Sequence, residues 1–127
     1  KEEMKMLYET RKILSEPNLK ISATCVRVPV IRCHSESINV EFFSNPDLSL
    51  ITNLFNDYKG ITVIDDISTN SYPTPLFGEG KNDVFVGRLR KDISNENAIN
   101  LWVVSDNLVK GAALNAIQIL EVFQKIG

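Results

Sequence analysis

His34 is the only histidine of the chain, and it falls where one strand-like run gives way to the next. Histidine titrates nearest neutrality, so it is the natural proton donor or acceptor at physiological pH. Spacing alone more often describes a structural or merely exposed histidine. Arg27 lies seven residues earlier in an otherwise apolar run, CVRVPVI, where a guanidinium has to find an anion. That anion is either a ligand's or one of the chain's own carboxylates, and residue type by itself favours the second. A third segment, SDNLVKGAALNA (105–116), puts the capping residues Ser105, Asp106 and Asn107 ahead of Gly111 and two alanines. Backbone N–H groups at a helix start attract anions, and a slim first turn lets a ligand come close. Tight packing of a helix on a sheet accounts for the same small residues and is the simpler reading. Glu2, Glu3 and Lys5, taken by themselves, form a solvated first helical turn.

The elements that must position these residues follow from periodicity. Met4, Leu7, Tyr8 and Leu14 recur at helical steps and predict a helix over Glu2–Leu14, stopped by Pro17. Ile21–Val30, rich in β-branched residues, and Ser37–Phe43, which alternates, predict two strands joined near Pro29–His34. Asn45-Pro46-Asp47 is a helix-start signal, and Leu48, Ile51, Leu54 and Phe55 give a short helix its apolar face. Lys59-Gly60 ends that helix, and ITVID (61–65) is a further short strand. Residues 65–82, with Pro73 and Pro75, form a long connection, a feature that compact domains keep for function or mobility.

Asp83–Leu89 and Ala98–Ser105 read as a strand pair across the turn residues 93–97. A closing helix over Leu108–Phe123 carries Ala112, Ala113, Ala116, Ile119, Leu120 and Phe123 on one broad side. This order predicts an α+β fold, a mixed and largely antiparallel sheet with helices packed on one face, without repeats or an internal domain boundary.

Composition sets outer bounds. The chain has 127 residues, a formal net charge of -2 and 43% hydrophobic residues, enough for one domain that buries roughly two thirds of its unfolded surface. No run reaches the ~18 apolar residues of a membrane span. Slight acidity with scattered basic residues argues against nucleic acid as a partner. Cys25 and Cys33 offer neither a disulfide framework nor zinc-ligand spacing. They read as reduced core or near-core thiols in an intracellular, cytoplasmic setting, and no metal site is expected. The chain lacks an initiator Met, and Lys1–Lys5 is charged and helical in character. These residues resemble neither a signal peptide nor a natural start, so the sequence reads as a segment of a longer protein.

Four segments, in order, resemble one family. CVRVPVIRCHS (25–35) closely resembles the arginine-to-histidine strand pair of the aspartate-semialdehyde dehydrogenases, with Arg27 and His34 in the matching places. KEEMKMLYETRKIL (1–14) is similar to the helix that precedes it, and VGRLRKD (86–92) and WVVSDNLVKGAALNAIQI (102–119) to the closing strand and helix. The resemblance implies the C-terminal substrate-binding and dimerisation domain, over residues 1–127, of a glyceraldehyde-3-phosphate dehydrogenase-like fold. It implies reductive dephosphorylation of L-aspartyl 4-phosphate by NADPH through a thioester on a cysteine. His34 then matches the acid/base histidine and Arg27 the clamp on the substrate's α-carboxylate, a bidentate task unsuited to Lys. Glu2 matches the residue that holds the substrate amino group, Lys5 one that binds phosphate, and Asn107 a contact to NADP.

Neither Cys25 nor Cys33 matches the nucleophile, which the family carries upstream together with its Gly-rich nucleotide loop. The chain alone is therefore expected to be inactive, and a homodimer is expected through the sheet face opposite the helices. Two rivals remain at this stage. An acyl-phosphate reductase for N-acetylglutamyl phosphate is disfavoured by Glu2, since an acetylated amine carries no charge. A non-catalytic dimerisation or small-ligand regulatory module is the other.

Overall fold

Alternating apolar residues in three segments, Ile38 and Val40, Val84 and Val86, Ile99, Leu101 and Val103, need one common buried face. The computed structural model, which describes residues 1–126, supplies it as a four-stranded sheet in the order β1-β4-β3-β2. β1 (His34–Glu41) pairs antiparallel with β4 (Ala98–Ser105), and β4 pairs antiparallel with β3 (Val84–Lys91). β2 (Ile61–Val63) lies parallel to β3 at the edge. The α+β class with a mixed, largely antiparallel sheet is as expected.

Helix α2 (Leu48–Asp57) seals the first face of this sheet. Asp47 caps it by accepting from Ser49 N at 2.8 Å and Leu50 N at 3.3 Å, a cap worth about 1 kcal/mol. Leu48, Ile51 and Phe55 project from it onto Val86, Ile99 and Leu101, the centre of the core. Lys91 Nζ ties the far end of β3 to this helix start through Asn45 Oδ1 and Pro46 O.

A parallel neighbour cannot be reached by a tight turn, and the connection must cross over the sheet. That requirement is what the long segment after β2 meets, since it carries the chain from β2 to its parallel partner β3. Its second half lies on the other face of the sheet. There the short helix α3 (Pro75–Gly78), capped by Thr74 with Pro75 at the first position, brings Gly78 against Val104 and Phe85. Trp102 Nε1 donates to Pro73 O at 2.9 Å. The rest of this second face stays open and polar, with Asn39 and Asn100 both donating to Asp92 Oδ2.

The β3–β4 turn falls on the expected residues 93–97, with Asp92 just ahead of them as its main acceptor. Asp92 Oδ1 accepts from Ser94 N and Ser94 Oγ, and Asn95 Oδ1 from Asn97 N. The Ser94 hydroxyl and amide, then Asn100, hold the Asp92 carboxyl far below the usual carboxylate range.

Gly87 pins the crossover to the sheet. A Cβ there would stand 2.2 Å from Ile64 O and 2.6 Å from the Pro73 ring. The next residues bulge, with register shifting between Gly87 and Arg90 and Arg88 at φ 55°. Backbone on one side and a proline on the other leave no soft neighbour to move. Gly87→Ala is thus expected to destabilise the full-length protein by about 1–3 kcal/mol. A urea midpoint equal to that of the parent would refute this packing account.

The main departures from the sequence reading concern residues 21–30, the ends of β1 and the closing helix. Residues 21–30 form no strand. Extended backbone becomes a strand only with a ladder partner, and this segment runs beside helix α1 (Glu2–Ile13) instead of a sheet edge. Arg27 is accordingly exposed rather than set in an apolar strand. The predicted 37–43 strand starts three residues earlier, at His34, and ends two residues earlier, at Glu41. The closing helix is broken: a π-turn over Val109–Ala113, kinked at Ala112 (φ -140°, ψ -105°), precedes α4 (Leu114–Ile126). Its apolar residues Ile119, Leu120 and Phe123 are all exposed.

Candidate active site

Two strand ends and the turns beyond them form one corner of the sheet. Cys33 turns the chain into β1 with φ 76°, buried at 6% exposure, its thiol donating to Pro75 O at 3.3 Å. His34 follows as the first residue of β1, opposite Ser105, the last of β4. Strand alternation puts both on the face that carries Ile38 and Leu101. The imidazole is solvent-exposed.

β4 then delivers Asp106 to the opposite face, at 0% exposure. Its carboxylate accepts from Gly80 N at 2.8 Å, from Leu108 N at 2.9 Å and from Arg32 Nη2 at 2.7 Å. The Gly80 amide first, then the Leu108 amide and the Arg32 charge, hold its carboxyl below the usual range despite burial. The carbonyl of Asp106 accepts from Val109 N and Lys110 N and so begins the π-turn. Asn107 stands between, half-buried.

Gly111, Ala112 and Ala113 are exposed, and a Cβ on Gly111 would meet only Asn107 Cβ, at 3.8 Å. Close packing on the sheet, the simpler reading of these small residues, is therefore not their role in this fold. They leave open space beside Asn107.

The first turn of α1 belongs to a second group. Glu3 Oε1 accepts from Cys25 N at 3.0 Å, and its own amide and that of Cys25 lower its carboxyl pKa. Cys25 Sγ lies 3.6 Å from Met6 Sδ, and Arg11 Nε donates to Leu19 O at 2.8 Å. These contacts fasten the turn bearing Glu2 and Lys5 to the segment two residues before Arg27. Among the described residues, Arg27 has no carboxylate within 4.0 Å, as the ion pairs are Lys1–Glu3 and Arg32–Asp106. The structural ion pair that residue type favoured for Arg27 is not formed among the described residues, and its guanidinium is exposed.

The five expected site residues thus fall into two groups, Glu2, Lys5 and Arg27 on one side and His34 and Asn107 on the other, joined by residues 28–33. Cys25 is exposed rather than in or near the core, while Cys33 is buried as expected. Burial first, then the negative charges of Asp106 and Glu79, push the Cys33 thiol up, which makes it a poor nucleophile. Sequence reading missed Arg32 as a functional element, and it gave Asp106 only a capping role. The available signal was a charge two residues before the only histidine and a carboxylate just after an apolar strand. Among the described residues no cluster of three His, Cys, Asp or Glu could hold a metal, and no helix is long and apolar enough to cross a membrane.

Residues 1–110 match the family described as semialdehyde dehydrogenase, dimerisation domain. The chain belongs to that family. Relatives named aspartate-semialdehyde dehydrogenase include one from Prochlorococcus marinus, 51% identical over 121 residues, covering 95% of this chain and 35% of the relative. Another, from Bacillus subtilis, is 50% identical over 127 residues, covering 98% and 36%. Among solved structures, the Vibrio cholerae aspartate semialdehyde dehydrogenase II complexed with ASA superimposes with a TM-score of 0.91 at 43% identity. That match covers 98% of this chain and 37% of the other. The chain therefore spans about a third of the length of the relatives it matches.

Proposed function

We propose that these residues are the C-terminal substrate-binding and dimerisation part of an aspartate-semialdehyde dehydrogenase acting in the cytoplasm. The observation that carries this reading is identity of about half over nearly the whole chain with dehydrogenases of that name. The proposed reaction takes L-aspartyl 4-phosphate, NADPH and a proton to L-aspartate 4-semialdehyde, phosphate and NADP. The acyl group rides on a cysteine supplied from outside these residues, since neither Cys25 nor Cys33 matches the family's nucleophile. Cys33 is also buried, with its thiol pushed up by that burial. The 127 residues by themselves are inactive on this reading.

Each charge on the substrate meets a counterpart. Arg27 offers a planar fork to the α-carboxylate, an arrangement that fixes orientation as well as charge. Glu2 pairs with the ammonium and Lys5 with the phosphate, both from the α1 turn that Glu3 fastens to Cys25. Holding three charges at fixed positions removes orientational freedom before reaction. His34, exposed at the start of β1, takes the proton from the attacking thiol and returns it to the departing group.

The residues present fit one edge of a nicotinamide cofactor. Asn107 carries a carboxamide that can both donate and accept, next to the open space left by Gly111–Ala113. When bound, NADPH supplies the hydride for reduction.

We also assign the homodimer contact to the second sheet face. Its open half holds a shallow groove of about 310 Å³ lined by Ser37, Tyr72, Thr74, Arg88, Arg90 and Trp102. One preparation of the full-length protein tests both parts. Aspartate semialdehyde, phosphate and NADP should yield NADPH, and the protein should sediment as a dimer at micromolar concentration. Absence of semialdehyde-dependent NADPH would overturn the reaction, and a monomer would overturn the assembly.

A further inference from the structure

A buried carboxylate with three donors is a costly thing to place at a strand end. Desolvation of Asp106 and Arg32 offsets much of their attraction, and such a pair seldom stabilises a fold more than apolar residues of the same shape. What the arrangement does achieve is geometric. The donors come from three separate stretches of chain: Arg32 just ahead of β1, Gly80 in the crossover, and Leu108 at the start of the π-turn. All three distances lie between 2.7 and 2.9 Å, the range of charge-assisted bonds.

Each donor adjoins a residue to which the proposed reaction gives a task, or a segment that bears on one. Arg32 is two residues before His34, with buried Cys33 between them. Leu108 directly follows Asn107. Gly80 follows α3, whose Pro75 carbonyl accepts from the Cys33 thiol at 3.3 Å. The strand register closes the circuit, since His34 stands opposite Ser105 and Asp106 is the next residue along β4.

We infer that Asp106 and Arg32 are positioning residues, a clasp that sets the distance between the acid/base residue His34 and the cofactor contact Asn107. The same clasp gives residues 79–81 of the crossover a part in that geometry. Asp106 is fully buried and Arg32 donates to its carboxylate through Nη2, so both are assigned to positioning and not to substrate contact. They act on rate by fixing where other groups stand. A misplacement of about 1 Å in such a group can cost 10²-fold in rate.

The inference rests on the acid/base reading of His34, and the test keeps the two apart. In the full-length enzyme, Asp106→Asn keeps the shape but offers one acceptor oxygen, where the carboxylate accepts from Gly80 N at Oδ2 and from Leu108 N at Oδ1. The variant therefore keeps one of these amides and loses the charge that holds Arg32. It should lower kcat about 10- to 100-fold while leaving KM for aspartate semialdehyde within about threefold, as expected when orientation and not substrate affinity is lost.

Arg32→Lys keeps a cation but not the reach and planar shape of the guanidinium, and it should cost about tenfold in kcat, a partial rescue relative to Arg32→Met. The Arg32→Met, Asp106→Asn double variant should be no slower than the worse single one, because the two act as a unit. All rates are taken per folded dimer. Turnover within twofold of the parent in either single variant, or losses that multiply in the double, would overturn the clasp. So would rates that fall only in proportion to folded protein. If Asp106→Asn does not fold, the Arg32 pair decides by itself: equal turnover in Arg32→Lys and Arg32→Met overturns the proposal. His34→Asn run in parallel reports on the other reading. Unchanged turnover there would remove His34 from the chemistry, while a slow His34→Asn beside a normal Arg32→Lys would sink the clasp alone.

Discussion

His34→Asn in the full-length enzyme is expected to lower kcat by about 10²–10⁴-fold, the usual contribution of a positioned acid/base group. KM for aspartate semialdehyde should stay within a few-fold, because the imidazole acts on protons and not on the substrate's charges. Asn keeps similar size and hydrogen-bonding capacity but cannot titrate, so the change isolates proton transfer. The position is well suited to such a test. His34 is exposed at the first residue of β1, so substitution empties no part of the core. Folding should therefore be intact, and thermal unfolding should match the parent to within a degree or two. Steady-state kinetics in both directions provide the check. Normal turnover in a correctly folded variant would leave His34 a surface residue and return the acid/base role to a group elsewhere in the protein.

The second large effect is expected at Arg27. Arg27→Lys preserves the charge but replaces a two-pronged, planar donor with a single ammonium. Hydrogen bonds to charged groups contribute about 1.5–3 kcal/mol each, so losing one prong should reduce kcat/KM by roughly 10- to 150-fold. The loss should fall mainly on KM if the clamp serves ground state and transition state alike. Arg27 meets no carboxylate among the described residues within 4.0 Å, so the variant breaks no ion pair of the fold. A competitive dicarboxylate inhibitor should weaken in parallel. Unchanged kcat/KM together with unchanged inhibition would show that the α-carboxylate is held elsewhere.

How much of this could be read from the chain depended on whether a residue's partners were near in sequence. Asp47 at the head of α2 and the 93–97 turn were legible, because caps and tight turns are local chemistry. β3 and β4 were legible too, since an alternating pattern and a short turn define a hairpin. Residues 21–30 misled because β-branched composition says that a segment is extended, not that it has a neighbour to pair with. The exposed guanidinium of Arg27 followed from the same error, as burial had been inferred from the strand. Gly87 could not have been picked out, for its constraint comes from Ile64 and Pro73, far along the chain. Asp106 announced itself as a helix-start residue, and that is half of what it does. Its hold on Arg32 and Gly80 spans 74 and 26 positions, by subtraction of their numbers, and no local pattern carries such pairings. His34, Arg27, Glu2, Lys5 and Asn107 stood out by residue type and place, but their roles came from the resemblance, and spacing by itself would not have assigned them.

The crossover between β2 and β3 has two unlike halves, and this bears on where the chain can change length. Residues 66–71 close on themselves: Asp66 and Ser71 exchange backbone hydrogen bonds, and Asp66 Oδ1 accepts from Ser68 N and Ser68 Oγ. Ile67 at their tip is 82% exposed. Residues 73–80 instead carry the carbonyl that holds Trp102, the ring against Gly87 and the amide bound by Asp106. Even doubling a flexible loop costs only about 0.6 kcal/mol in closure entropy. Insertions and deletions are thus nearly free in the first half and ruinous in the second. Within one connection, the fold keeps a stretch open to drift directly beside one that geometry has frozen.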